Sequence, residues 1–380
     1  MPDFSLADIV SPLTEKDFLD GYWQQSTYHA AGRSSDYFAG LIAAVDIEAT
    51  LPAQTAVSPM LVYAIDSRKS PQESEPKDLY DIFQDGSTVK VDNVHRRFQP
   101  LNHLCRRLEE FFHSTTGANL YLTPPNSQGF RVHSDYEDVI VLQISGEKHW
   151  EIWPPYHPLP LRGENTPVPR EMPPPAEKIT LKPGESLYVP RGFPHRAYSG
   201  DTASLHITLG IHTMLWIDLV IAAATAAARH NTAFREALPV GFLRKGVLGE
   251  SAQNRLRRLF AVLAEEPEMP AGLVELGKGV VHAQTMLRDN HFEVLCGIEN
   301  LNADSLLRKR VGTVSFLEKT ETEVRLHFAH KLVKMPAKVL GALEFILAAG
   351  VFAVRDIPGL DEASQLVLAR RLVKDGYLTV

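Results

Sequence analysis

The sequence predicts an α+β protein in which an antiparallel β-barrel is followed by helical segments. Residues 181–190 contain a Pro-Gly turn that leads into a short apolar strand, a pattern typical of antiparallel sheets. His133 and Asp135 are two positions apart, so on a strand they would share one face. In the alanine-rich stretch 214–229 the apolar residues take a helical spacing instead.

Length and composition indicate a multi-domain intracellular protein. The chain has 380 residues, of which 44% are hydrophobic, and no apolar stretch is long enough for a membrane span. Its two cysteines, Cys105 and Cys296, show neither disulfide nor metal spacing, and the N-terminal residues do not resemble a secretory signal. We therefore expect a cytoplasmic protein with two or three domains.

The charge of the chain limits the partners that we expect. The formal net charge is −7 and the isoelectric point is near 6.1. An acidic chain is a poor non-specific ligand for nucleic acid, whereas it favours a basic protein or peptide. Nucleic acid is thus an unlikely partner on charge alone.

Several further elements are predicted in the N-terminal half. A helix is expected around 15–27 and another at 36–44, followed by a polar loop at 67–77. A helix at 101–113 precedes the candidate site, and the proline-rich stretch 154–175 reads as an irregular insertion between strands.

A candidate metal site is formed by His133, Asp135 and His195, although His195 lies 62 positions after His133. Two imidazoles and one carboxylate would leave about three of six octahedral positions open, as in Fe(II) oxygenases. Zinc is the rival metal, but the helical His pair or separate general base of zinc hydrolases is not evident. A His-x-Asp pair by itself is weak evidence, since a buried histidine is more often a core residue.

The sequence around this pair resembles a known family. Residues 119–130 before it and 142–150 after it are similar to the Jumonji-C (JmjC) oxygenases, and among these to the ribosomal oxygenases, which hydroxylate arginine or histidine side chains of ribosomal proteins. The resemblance is dense from about 96 to 212. It implies a cupin-type double-stranded β-helix, or jelly-roll, barrel.

The resemblance also implies the roles of individual residues. It assigns Fe(II) to His133, Asp135 and His195, and it assigns the distal carboxylate of 2-oxoglutarate to Lys148. A dicarboxylic keto acid needs such a cation at the end of its pocket. Without the resemblance, Lys148 would be read as a surface lysine after a Ser-Gly turn.

Three more residues are assigned to the pocket by the resemblance. Asn119 and Tyr121 share one strand face near the iron and the substrate, and Thr208 places a hydroxyl near the co-substrate. Tyr121 could equally be a core aromatic whose hydroxyl reaches solvent. His206, on the same face as Thr208, is expected to be structural or to support the site rather than to bind metal.

One departure from the family concerns the substrate. Relatives commonly carry an aromatic residue in the middle of the His-x-Asp motif, where this chain has Ser134, and the aromatic here is Tyr136. The difference leaves the iron chemistry unchanged but puts the shape of the substrate entrance in doubt.

The expected domains are 1–212, the catalytic barrel; 213–300, a helical dimerisation domain; and 301–380, a winged-helix-like domain. An amphipathic helix at 252–265 belongs to the second, which could instead pack only within its own chain. The third is predicted from a strand at 323–328 and helices at 336–349 and 361–374. An apolar stretch at 352–357 lies between the helices.

The expected function is that of an Fe(II)- and 2-oxoglutarate-dependent dioxygenase. It would hydroxylate an Arg or His side chain of a ribosomal protein or of a natural-product precursor peptide, release succinate and CO2, and act as a homodimer. Two alternatives remain open at this point: a ligand-sensing cupin whose winged helix binds DNA, and a metal-binding cupin that does not make succinate.

Overall fold

The computed structural model describes residues 4–43, 46, 62–67, 72–74, 79–164, 166–244, 248–265, 268–287 and 289–380. The chain divides into two units, Met1–Thr213 and Met214–Val380. Among the described residues, no helix combines the length and the apolar character that a membrane crossing requires.

The first unit combines short helices with eleven described strands. Its helices are α1 (Leu6–Val10), α2 (Glu15–Gly21), α3 (Leu79–Gln84) and α4 (Gln99–Phe112). Its strands are β1 (Tyr28–Ala30), β2 (Val62–Ile65), β3 (Gln72–Ser74), β4 (Thr88–Val91), β5 (Thr115–Thr123), β6 (Asp138–Ser145), β7 (Lys148–Ile152), β8 (Glu177–Leu181), β9 (Ser186–Val189), β10 (His195–Ser199) and β11 (Ser204–His212).

These strands form two antiparallel sheets. The larger has the order β1-β9-β6-β11-β5-β4-β2-β3, and the smaller has the order β10-β7-β8. Most neighbours in the order are not consecutive in the chain, because several connections cross between the sheets, as in a jelly-roll. The predicted antiparallel barrel is confirmed.

Strand β6 shows why this sequence closes into a barrel. Its alternate residues Val139 and Val141 pack inward with Trp150 and Ile152 of the small sheet. Ile140 and its neighbours on the other face pack against the helices. Since side chains alternate between faces, the consecutive apolar residues 139–142 of this strand must be covered on both sides.

The turn after β6 depends on glycine. Gly146 has φ +62°, and a Cβ there would lie 1.9 Å from the carbonyl oxygen of Ala203. Only a residue without a side chain fits this turn. The turn sets the start of β7, and thereby the position of Lys148.

The predicted helices of the first unit are confirmed in part. The helix expected at 101–113 is observed as α4, with Pro100 in its first turn. The helix expected at 15–27 ends at Gly21, and residues 22–25 form turns.

The prediction of a helix at 36–44 is wrong for the described residues, which end at 43 in this segment. Phe38, Leu41 and Ile42 are buried with helical spacing, but the backbone forms successive four-residue turns, such as that closed by Leu41 N–H and Phe38 C=O. Apolar spacing alone does not separate these two conformations.

The polar loop expected at 67–77 contains a short strand. Residues 72–74 form β3, which pairs with β2, while 68–71 and 75–77 lie outside the described residues. The insertion expected at 154–175 is irregular where it is described, and Trp153 Nε1 donates to Pro173 O across it.

The second unit begins with helices and continues with two small sheets. Its helices are α5 (Trp216–His230), α6 (Glu250–Ala264), α7 (Glu268–Ala283), α8 (His291–Cys296), α9 (Leu340–Ala348) and α10 (Glu362–Asp375). Its strands are β12 (Leu306–Lys309), β13 (Ser315–Lys319), β14 (Glu323–Phe328), β15 (Lys331–Pro336), β16 (Val351–Ala353) and β17 (Leu378–Thr379), in the orders β16-β12-β17 and β13-β14-β15.

Small residues let two helices of this unit approach closely. A Cβ on Gly272 of α7 would lie 2.8 Å from Ala223 of α5. The alanine-rich stretch thus serves helix packing inside this unit. The assignment of 213–300 to dimerisation and of 301–380 to a winged helix stays a prediction.

Candidate metal centre

The barrel encloses a cavity of about 500 Å³ that opens between its strands. Both sheets contribute side chains, and polar groups alternate with aromatic ones along the wall. The lining includes Thr88, Lys90, Asp92, Asn93, Asn119, Tyr121, Phe130, His133, Asp135, Tyr136, Glu137, Lys148, Trp150, His195, His206, Thr208, Gly210 and His212.

Three of these side chains meet as a potential metal site. Asp135 lies between two imidazoles, with Oδ1 3.8 Å from His133 Nε2 and Oδ2 3.6 Å from His195 Nε2. All three ligand atoms lie within 4.8 Å of one another, and no other such group of three occurs among the described residues. The structure therefore brings together the three residues that the sequence suggested.

Both imidazoles are oriented for metal binding. Nδ1 of His133 is 2.8 Å from Arg131 O, and Nδ1 of His195 is 3.1 Å from Phe193 O. A carbonyl can only accept, so each Nδ1 carries the hydrogen and each Nε2 keeps its lone pair. Burial, followed by the charge of His133, lowers the pKa of His195 to about 4, so His195 is neutral at physiological pH.

The prediction that the His-x-Asp pair lies on a strand is wrong. His133 makes only an isolated antiparallel bridge to His195, and Asp135 lies in the irregular segment before β6. Asp135 instead faces the imidazoles because its own carbonyl accepts from Gly192 N–H at 2.8 Å. Backbone hydrogen bonds to the segment 192–195, and not strand pleating, align the three side chains.

Lys148 lies in the same cavity and is 2% exposed. Its Nζ donates to Thr123 Oγ1, and no carboxylate of the described residues pairs with it. Burial lowers the pKa of Lys148 to about 7, because an ammonium loses its hydration when it leaves water. The interpretation of Lys148 as a surface lysine is wrong.

Asn119, Tyr121 and Thr208 also line the cavity. Asn119 and Thr208 are direct cross-strand partners on β5 and β11, and Tyr121 is the partner of His206. Asn119 Oδ1 already accepts from Asn93 N–H at 3.0 Å. Burial, followed by the charge of Asp135, raises the pKa of Tyr121 well above its ordinary value, so its hydroxyl stays protonated.

A family model described as the JmjC domain matches residues 93–219. The match contains the cavity strands from β5 onward and all three candidate metal ligands. Residues 93–219 of the chain therefore form a JmjC domain. The resemblance seen around the His-x-Asp pair is thus confirmed.

Two curated relatives align over this JmjC domain. A protein of Drosophila persimilis named bifunctional lysine-specific demethylase and histidyl-hydroxylase NO66 is 35% identical over 216 residues, covering 55% of this chain and 31% of that protein. Ribosomal oxygenase 1 of Danio rerio is 29% identical, covering 66% of this chain and 49% of that protein. The chain therefore spans half or less of the length of these relatives.

Solved structures show the same fold over almost the entire chain. The ribosomal oxygenase YcfD of Escherichia coli covers 97% of this chain with a TM-score of 0.60 and 17% sequence identity, and 98% of that chain is matched. Another structure of YcfD, with cobalt and 2-oxoglutarate bound, has a TM-score of 0.59. At this identity the likeness concerns the fold.

The JmjC cavity contains residues that sequence reasoning missed. Glu137 Oε1 lies 3.3 Å from His212 Nδ1, and a Cβ at Gly210 would lie 2.3 Å from Glu137 Oε2. Burial raises the pKa of Glu137, while His212 opposes the shift. The alternation of strand β11 could have indicated His212, but nothing in the sequence joins it to Glu137.

We predict that Lys148→Met stabilises the protein at pH 7. The folded-state pKa of Lys148 is about 7, whereas that of an unfolded lysine is about 10.4. Between these values the unfolded chain binds more protons, so this residue makes stability rise with pH. Methionine removes the penalty, and the melting temperature at pH 7 should increase by about 5 °C.

The advantage should shrink as the pH approaches 10, where folded and unfolded wild type both approach neutrality at this lysine. Thermal unfolding of wild type and variant at pH 7 and 9.5 measures it. Lys182→Met, at an exposed lysine, is the matched control and should change little. A lower melting temperature of Lys148→Met at pH 7 would contradict the prediction.

Proposed function

We propose that the JmjC domain is an Fe(II)- and 2-oxoglutarate-dependent dioxygenase that hydroxylates an arginine or histidine side chain of a protein or peptide. One observation carries the proposal. An open His-Asp-His triad and a buried lysine, which no acidic side chain of the described residues contacts, lie in one cavity. A keto diacid would satisfy both, with its near end at the metal and its far carboxylate at Lys148.

The donor set fits iron. Two Nε2 lone pairs and one carboxylate can occupy one face of an octahedron and leave about three positions open, which Fe(II) oxygenases use for the co-substrate and dioxygen. The carbonyl groups of Arg131 and Phe193 hold the imidazoles in the required tautomer. His133, Asp135 and His195 are therefore the proposed metal ligands.

When bound, iron and 2-oxoglutarate supply the oxidising chemistry: R–H, 2-oxoglutarate and O2 give R–OH, succinate and CO2. The protein positions the reactants and excludes water from them. Lys148 holds the far carboxylate, and Thr208 offers a hydroxyl near the co-substrate. Asn119 and Tyr121, on the adjacent strand, are proposed to contact the reactants near the metal.

Carboxylates in the cavity wall favour a basic substrate. Asp92, Glu137 and the 41% exposed Tyr136 line the cavity, with Lys90 paired to Asp92 at 2.5 Å. Carboxylates beside the metal attract a guanidinium or an imidazolium. The names of the relatives, which include histidyl-hydroxylase and ribosomal oxygenase, support a ribosomal protein over a precursor peptide as the substrate.

The exposed helices of the second unit support a homodimer. Trp216, Ile217 and Ile221 of α5 are 83%, 46% and 58% exposed, and Phe260 of α6 is 55% exposed. Large apolar side chains at this density are typical of an interface. We therefore propose that 213–300 is a dimerisation domain.

We further propose a winged-helix-like domain at 301–380. The support is an antiparallel three-stranded sheet, β13-β14-β15, and two helices, α9 and α10, which share one hydrophobic core. A cytoplasmic setting is proposed because Cys105 and Cys296 are both free thiols.

The proposed iron and co-substrate roles are tested by the colour of the chelate. Anaerobic Fe(II) and 2-oxoglutarate should give wild-type protein a visible charge-transfer band. Asp135→Ala should lose the band because a metal ligand is gone, and Lys148→Ala should need about tenfold or more 2-oxoglutarate for half its intensity. Lys182→Ala, at an exposed lysine, should behave as wild type. A wild-type protein that is folded but gives no band would overturn the proposal.

The proposed reaction is tested by product mass. Peptides from basic ribosomal proteins that carry a central Arg or His should gain one oxygen atom, with succinate formed in equal amount. Tandem mass spectrometry locates the oxygen, and Asp135→Ala is the inactive control. Loss of a methyl group from methyl-lysine peptides, without hydroxylated product, would instead assign demethylation.

The proposed dimer is tested by charge on the exposed helix. The double variant Trp216→Glu and Ile221→Glu should weaken self-association by about thirtyfold or more, since loss of central apolar anchors typically costs this much. Light scattering after size exclusion measures the mass. Val367→Glu, at a 69% exposed residue of α10 outside 213–300, is the control and should remain dimeric. A double variant that stays dimeric at micromolar concentration would refute this interface.

A further inference from the structure

The histidine opposite Tyr121 is buried in the cavity wall, and one of its ring nitrogens has no hydrogen-bond partner in the described part of the chain. His206 lies on β11, is 4% exposed and lines the cavity. Its described ring contacts are aromatic: it stacks on Tyr121 at 4.8 Å and meets the edge of Trp150 at 5.8 Å. Its Nδ1 is buried without a hydrogen-bond partner among the described residues.

Unpartnered polar atoms are costly in a protein interior, at about 1–3 kcal/mol each, and are rare in native structures. This cavity wall has more than one such group. Trp150 Nε1 is likewise buried without a partner among the described residues, and within the same residues no carboxylate pairs with Lys148. Three nitrogen groups without an anionic partner in the described part of the chain therefore lie on one part of the wall, which is the arrangement expected around an anionic ligand.

The strand geometry places His206 beside Lys148. Lys148 donates to Thr123, and His206 stacks on Tyr121. Thr123 and Tyr121 are two positions apart on β5, about 7 Å along the strand, and share one face. The side chains that contact them, Lys148 and His206, therefore lie side by side. The positive charge of Lys148, after burial, also lowers the pKa of His206 well below its ordinary value.

His206 is consequently a neutral imidazole, which has one N–H donor and one lone pair. A neutral ring suits a site that already contains an ammonium, because it adds a hydrogen-bond donor without repulsion between two cations. A carboxylate has two oxygens and about four acceptor positions, which exceeds what a single lysine can fill.

We propose that His206 is a second anchor for the far carboxylate of 2-oxoglutarate, to which it donates a ring N–H beside Lys148. The inference rests on the proposed function and adds a residue to it. Tyr121 then supports the anchor, because its ring face holds the imidazole in place. The same donor gives the site a preference for keto acids with a second carboxylate.

The test compares two ligands that differ only at the far end. 2-Oxoglutarate and 2-oxovalerate have the same five-carbon chain and the same metal-chelating group, but 2-oxovalerate ends in a methyl group. Anaerobic calorimetric titration into the full chain loaded with Mn(II) gives a dissociation constant for each. His206→Phe keeps a ring that can stack on Tyr121 and removes the donor.

His206→Phe should weaken 2-oxoglutarate binding by about tenfold, the loss expected for one hydrogen bond to a carboxylate. Binding of 2-oxovalerate should stay within about twofold of wild type. His206→Gln, which keeps a donor, should recover most of the affinity for 2-oxoglutarate. His149→Phe is the matched control and should change neither constant, since His149 pairs with Thr180 outside the cavity lining.

The remaining outcomes separate the inference from the proposed function. If His206→Phe weakened the binding of both keto acids equally, the role of His206 would be purely structural. If it changed neither dissociation constant, His206 would have no role in binding. Each of these results overturns the inference alone. A folded, Mn(II)-loaded wild type that binds neither keto acid would overturn the proposed function, and the inference with it.

Discussion

The site depends on a pair of backbone hydrogen bonds between two distant segments. His133 N–H donates to His195 O at 3.2 Å, and His195 N–H donates to His133 O at 2.8 Å. This bridge joins the edge of β10 to the irregular segment before β6, so imidazoles that are 62 positions apart come together with ring centroids 4.5 Å apart. Every polar contact of the triad is built on that alignment.

The barrel also imposes a free-energy cost on folding, which ligand binding would offset. Closure of the two sheets buries Lys148 and His206 where water cannot reach them freely. Each loses hydration, which is why both pKa values fall, and neither finds an acidic partner among the described residues. A protein selected for stability alone would place apolar side chains there. Under the proposed function, the two groups become favourable when the anionic co-substrate enters the cavity.

Small residues have different roles in the two units. Gly146 and Gly210 in the first make room for the Ala203 carbonyl and the Glu137 carboxylate. Gly272 and Ala223 in the second let two helices touch. The glycines of the barrel therefore shape the cavity and its turns, whereas those of the helical part determine how close helices pack.

The sequence by itself predicted the antiparallel barrel and the helices α4, α5, α6 and α10, because apolar periodicity and turn residues are local signals. The Pro-Gly turn before β9 was readable in the same way, whereas helix α7 was not predicted. The sequence also indicated His133, Asp135 and His195 through resemblance. Only the tertiary structure decided which distant side chains meet. The burial of Lys148 and its contact with Thr123 require strands of the two sheets to face each other, and the pairing of Glu137 with His212 requires the register between β6 and β11. Such contacts follow from register and closure, which no local pattern encodes.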